Sequence, residues 1–182
     1  MIYLDNNSTT PTDPEVVKAM LPYFTDKFAN PSSIYDIAFK LKEVLDNSRK
    51  KVAEILKVNS NEIIFCSGGT EADNIAIMGS VLGWERRGGF TLWPSIEHKA
   101  VLEVCKFLKK YFDYRITYIP VNSGGVIDLN ALKDSITPKT AIISSEIRLG
   151  VKTQALFDQE PAEIARNAGV LFHSDLVQGI GK

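Results

Sequence analysis

Three short stretches combine residue types and spacings that could do chemistry. The first, Ser67-Gly68-Gly69-Thr70-Glu71, stands between an apolar run and a helical pattern. Glycines let the chain turn tightly there, and exposed N–H groups with the helix dipole make an anion site to which Thr70 adds a hydroxyl. It is neither a P-loop, lacking Gly-Lys-Ser/Thr, nor a dinucleotide fingerprint, and a turn of this kind also serves simply to reverse the chain. The second is His98, in Ile96-Glu97-His98-Lys99, at a strand-to-helix junction. Ligands of open α/β sheets gather at the carboxyl ends of strands, where an imidazole could stack on a ring or move a proton; it could equally cap the helix. The third is Phe172-His173-Ser174-Asp175-Leu176-Val177-Gln178. Asp175 lies just beyond an apolar strand, and a carboxylate in a semi-apolar crevice calls for a cationic partner; the other reading is a helix cap. His173 falls within the strand and reads as a satisfied core histidine. Cys66 and Cys105 form no disulfide framework and no metal-ligand spacing, and read as small buried hydrophobes. No metal site is expected.

The elements that must position these residues follow from periodicity. Asp13-Pro14 predicts an N-cap and first helical residue of a helix reaching about Phe28. Ile37, Leu41, Val44, Leu45, Val52, Ile55 and Leu56 share one face of a helix over 36–56. Strands are predicted at 62–66, 90–93, 115–119, 141–145 and 170–173, and helices at 70–87, 97–111, 129–136 and 161–168. A turn is predicted at Asn122-Ser123-Gly124-Gly125. Strand–helix alternation with apolar strands means an α/β fold, a largely parallel sheet with helices on both faces. The helical opening, ahead of any clear strand, is expected to pack elsewhere than in the sheet.

Composition narrows the function classes. With 182 residues, 45% hydrophobic and 24% charged, the chain can build a real core. A net charge of −1 recommends neither nucleic acid nor an anionic membrane as partner. Arg86-Arg87 and Lys109-Lys110 read as solvated helix faces. No apolar run approaches the roughly 20 residues that span a bilayer, and Met1-Ile2-Tyr3-Leu4-Asp5 lacks the regions of a signal peptide. A cytoplasmic location is the expectation.

Taken in order, the motifs resemble those of the cysteine desulfurases, pyridoxal-phosphate (PLP) enzymes with an aminotransferase class-V-like fold. Tyr3-Leu4-Asp5-Asn6-Asn7-Ser8-Thr9-Thr10-Pro11 is similar to their opening, and Asn30-Pro31-Ser32-Ser33 to their next signature. Ser67 through Asn74 resembles their phosphate loop, Glu97-His98-Lys99-Ala100-Val101 their ring-stacking histidine, and His173 through Gln178 their pyridine-nitrogen site. The resemblance implies that Gly69, Thr70 and nearby backbone N–H groups bind the cofactor phosphate. It implies that His98 stacks on the ring and takes part in proton transfer, that Asp175 pairs with the protonated ring nitrogen, and that Gln178 bonds the phenolic oxygen. It implies a small-domain segment at 1–14 and the first part of a PLP-transferase large domain at 15–182.

The resemblance also carries expectations about activity and partners. The implied reaction takes L-cysteine to L-alanine and passes its sulfur to an enzyme cysteine, for iron–sulfur or thio-cofactor assembly through an acceptor or scaffold protein. Two departures stand out. Glu146-Ile147-Arg148-Leu149-Gly150 occupies the place of an Asn-Asn-Glu-X-Gly stretch, so Ile147 or Arg148 replaces a cofactor-contacting asparagine. The Schiff-base lysine and the persulfide cysteine of the family fall beyond the position of Lys182. The expectation is therefore a cofactor cradle without either nucleophile, inactive alone and paired in a homodimer or with a complementing C-terminal half. Rival readings are a non-catalytic desulfurase-like binding or scaffold protein, and part of another PLP enzyme such as an aminotransferase or selenocysteine lyase.

Overall fold

The computed structural model describes residues 2–6, 8–83, 90–94, 97–123, 126–146 and 159–177, with 90–94 and 146 as backbone. The chain divides into two compact units, Met1–Phe65 and Cys66–Lys182.

In the first unit, α1 (Pro14–Met20) opens on Asp13, whose Oδ1 accepts from the Glu15 N–H at 2.8 Å, with proline at the first helical position. The single helix expected up to Phe28 is instead broken into α1 and a short α2 (Pro22–Thr25). Pro22 is the reason: it has no N–H to continue the ladder and its ring crowds the preceding turn. The amphipathic α3 (Asp36–Leu56) has the predicted bounds and ends on Lys57 in the left-handed region at φ 56°. The expected strand at 62–66 does not form. Ser60–Glu62 is a 3-10 turn, and 63–66 is not part of a strand. An apolar alternating run specifies an extended chain, but a strand needs a neighbour to take its N–H and C=O groups.

The second unit holds the sheet. Its elements are α4 (Gly69–Gly83), β1 (Phe90–Pro94), α5 (Lys99–Phe112), β2 (Arg115–Ile119), α6 (Leu129–Ser135), β3 (Thr140–Glu146), α7 (Gln159–Asn167) and β4 (Leu171–Asp175). All three strand pairings are parallel, in the order β2-β1-β3-β4. Adjacent residues of β3 show the two-faced packing. Ile142 joins Ile77 and Val81 of α4, Val101, Val104, Cys105 and Leu108 of α5, and Tyr114 in one buried cluster. Ile143 joins Ile119, Leu132 of α6 and Ala165 of α7 in another. Successive side chains of a strand point to opposite faces, so α4 and α5 cover one face and α6 and α7 the other. This is the expected α/β architecture. Burial supplies its main stabilisation: each fully buried Ile, Leu or Val contributes about 1.5–3 kcal/mol relative to exposure.

Lys109 and Lys110 lie on an exposed face as expected, and Cys105 is fully buried. Cys66 is only half-buried, against expectation, because its run is not enclosed in a strand ladder. The Arg86-Arg87 pair and part of the expected turn (124–125) lie outside the described residues.

Candidate cofactor site

Parallel strands place all their carboxyl ends on one edge of the sheet, and the candidate residues collect there. The chain runs from β1 to β2 on one side and resumes at β3 on the other, so strand order reverses between β1 and β3. Such a switch point opens a crevice at the carboxyl edge. His98 follows β1, and Asp175 ends β4. With β3 between β1 and β4, the ends of these strands stand about 10 Å apart.

His98 is the N-cap of α5 and is exposed. Its Nδ1 accepts from the Ala100 N–H at 3.2 Å. The helix-cap reading of this residue is the one observed. The cap occupies Nδ1 as an acceptor, which leaves Nε2 as the nitrogen open to a ligand and the exposed ring available for stacking.

Asp175 is the last residue of β4, within the strand rather than beyond it, because the ladder to β3 continues through Ser145↔Ser174 to Glu146↔Asp175. It is 8% exposed. Its Oδ1 accepts from the Val177 N–H at 3.0 Å, a local turn of the Asx type.

The glycine turn leads into α4. The first intrahelical bond runs from the Ala72 N–H to the Gly68 carbonyl at 3.1 Å, so the N–H groups of Gly69, Thr70 and Glu71 have no intrahelical acceptor. Glu71 folds back and accepts from the Ser67 N–H at 2.5 Å. That bond, with a second from the Ser67 side chain, holds the Glu71 carboxyl below its usual range. The turn also touches the end of β4. A Cβ built on Gly69 would lie 2.6 Å from Val177 Cγ2, so only glycine lets the helix start approach this closely without a shift.

Gly69, Thr70 and Asp175 are therefore brought together, with His98 on the same sheet edge. Gln178, Ile147 and Arg148 lie outside the described residues. One grouping escaped the sequence reading. His173 is a core histidine as expected, but its partners are Ser144, whose Oγ is 2.8 Å from Nδ1, and Asp73, whose Oδ1 is 3.5 Å from Nε2. Asp73 stands four residues after Gly69, one helical turn inward, and that spacing was the available signal.

The site has the donor set that PLP requires: unused N–H groups at the start of a helix of 15 residues for a phosphate, and a nearly buried carboxylate for a cationic ring nitrogen. Among the described residues no cluster of His, Cys, Asp or Glu could hold a metal ion, and no helix is long and apolar enough to cross a membrane.

Comparison with known proteins bears on the family and the fold. The family model for aminotransferase class-V matches residues 2–182. Cysteine desulfurase IscS of Rickettsia africae (strain ESF-5) is 40% identical over 185 residues, covering 100% of this chain. The chain spans 44% of that relative's length. Among solved structures, one described as a NifS-like protein superposes with a TM-score of 0.88 at 30% identity, covering 100% of this chain and 50% of its own. Another, described as SspA in complex with cysteine, gives 0.83 at 27% identity, covering 94% of this chain and 49% of its own.

Proposed function

The chain belongs to the aminotransferase class-V family, and from that premise we propose that it provides the cofactor-binding part of a PLP-dependent cysteine desulfurase. The observation that carries this reading is the meeting of the α4 N-terminus with the end of β4, where Gly69 stands against Val177 and Val177 in turn bonds Asp175. Anion donors and a low-dielectric carboxylate thereby stand side by side, matching the two charged ends of a single ligand.

In this reading the N–H groups of Gly69 and Thr70 hold the phosphate, with the Thr70 hydroxyl as a further donor. Asp175 keeps the pyridine nitrogen protonated, since a carboxylate near a base stabilises its charged form. His98 lies over the ring and carries a proton on Nε2, its Nδ1 being engaged by Ala100. Gln178 completes the set at the phenolic oxygen. When bound, PLP supplies an electron sink that makes the carbon–sulfur bond of a cysteine substrate cleavable. The division into a small-domain segment, 1–14, and the first part of a large domain, 15–182, belongs to the same proposal. So do L-cysteine as substrate, an acceptor protein for the sulfur in iron–sulfur assembly, a homodimer or complementing half as partner, and a cytoplasmic location. The 182 residues taken alone would bind PLP reversibly and would not release sulfide or alanine from cysteine.

The test is a PLP titration of the purified chain followed by absorbance, borohydride treatment and intact mass. Saturable binding that weakens in Asp175→Asn, with no mass gain mapped to one lysine, is the expected result. Absence of binding would favour a non-catalytic desulfurase-like protein, the reading to which Ile147 and Arg148 in place of an amide point. Alanine release from cysteine would show that these residues suffice for the reaction.

A further inference from the structure

Ser144 and His173 are register partners on β3 and β4, and their side chains share the face covered by α4. Asp73 reaches them from α4. The three are nearly removed from solvent: Ser144 is 0% exposed, and the side chains of Asp73 and His173 are 6% and 11% exposed. Asp175 lies two residues beyond His173, on the same face and about 7 Å further toward the carboxyl edge. Gly69 lies four residues before Asp73, about 6 Å further toward the same edge. The structure is thus a two-rung ladder between α4 and β4. The outer rung is Gly69 against Val177 and Asp175; the inner rung is Asp73–His173–Ser144.

The chemistry of the inner rung assigns its hydrogens. A carboxylate can only accept, so His173 carries its hydrogen on Nε2, facing Asp73. In the neutral form of the ring, Nδ1 then accepts from the Ser144 hydroxyl. A Ser–His–Asp set can also act as a nucleophile, but Ser144 is sealed inside the fold and no substrate reaches it.

We propose that the Asp73–His173–Ser144 rung is a positioning device that sets the separation between the anion-binding start of α4 and the Asp175 carboxylate, so that both ends of one phosphate-bearing pyridine ligand are met at once. This rests on the cofactor reading given above. Its distinguishing consequence is that the rung matters for a ligand that spans both sites and hardly at all for a ligand that uses one. The apolar isostere Asp73→Leu, and separately Ser144→Ala, should lower PLP affinity about tenfold, while the affinity for inorganic phosphate and for pyridoxal moves less than about twofold. The conservative Asp73→Asn, which keeps an acceptor, should restore most of the PLP affinity. Ser144→Ala serves where Asp73→Leu fails to fold.

A second measurement does not involve the cofactor. The chain has two histidines, so two-bond proton–nitrogen correlation spectra of labelled protein, with His98→Gln for assignment, read the His173 tautomer directly. A hydrogen on Nε2, displaced in Asp73→Leu, is expected. A tautomer protonated on Nδ1 overturns the inference, as does equal weakening of PLP, phosphate and pyridoxal, which would mark general loosening. PLP affinity unchanged in both rung variants overturns it as well. Failure of the unaltered chain to bind PLP would overturn the cofactor reading and this inference with it; binding that ignores the rung overturns the inference alone.

Discussion

Replacing Tyr114 by Phe tests how α4, the helix that begins at the candidate site, is held farther along its length. Tyr114 follows the left-handed C-cap of α5, Asp113 at φ 55°, and its hydroxyl donates to the Val81 carbonyl at 2.8 Å. Both residues are buried, at 4% and 0% exposure. Val81 lies on α4, and its carbonyl takes the phenol hydrogen inside the fold. Phenylalanine preserves the ring packing and removes only the donor of a buried hydrogen bond, at a cost of about 1–3 kcal/mol. Taking about 2 kcal/mol, and an m-value near 2 kcal/mol per molar urea, the unfolding midpoint should fall by about 1 M. The thermal midpoint should fall by roughly 8 °C. The assay is urea unfolding followed by circular dichroism, with the slope compared between variants. Val81 and Gly69 are about 18 Å apart along the helix, so PLP affinity should be unchanged. A midpoint shift under about 0.3 M with an equal slope would refute the reasoning, by showing that the carbonyl loses nothing when the phenol is removed.

Other expectations follow from the same geometry. Gly69→Ala places a methyl 2.6 Å from Val177 Cγ2, but Val177 is 60% exposed and can turn aside. The rotation costs about 0.5–1.5 kcal/mol and alanine regains up to about 1 in a helix, so stability should stay within about 1 kcal/mol. PLP binding should weaken severalfold, because Val177 also holds Asp175; a titration showing equal affinity contradicts that link. Burial, reinforced by Glu97, pushes the Cys105 thiol up to about 12, so alkylating reagents at neutral pH should label Cys66 and spare Cys105 in the native protein. The folded pKa is raised, so the associated stability is intact below the unfolded value near 9 and is lost as pH rises toward 12, at about 1.4 kcal/mol per unit. Urea midpoints that fall equally steeply in Cys105→Ala would assign that loss elsewhere. The Glu71 carboxyl is held low by Ser67, so its contribution is present above the usual carboxylate range and disappears as pH falls through the folded pKa. A Glu71 titration curve with an ordinary midpoint would remove that bond from the account.

What the amino-acid order determined by itself were the local devices. Asp13-Pro14, the apolar stripe of α3, the bounds of β2 and the strand–helix alternation are all set by capping, periodicity and propensity, which act within a few residues. The family was likewise legible in the order of the motifs, which resemblance and not periodicity identified. What only the tertiary structure decided were the relations between segments distant in sequence. The run at 63–66 is strand-like by pattern and is not part of a strand, because ladder pairing is a property of two segments. The reversal of strand order between β1 and β3 emerges from sheet pairing alone. Asp73 and Ser144 read as an ordinary helix residue and an ordinary strand residue until α4 packs across β3 and β4 and closes them on His173. A buried polar group must find its partner wherever the fold supplies one, and sequence separation carries no record of where that is.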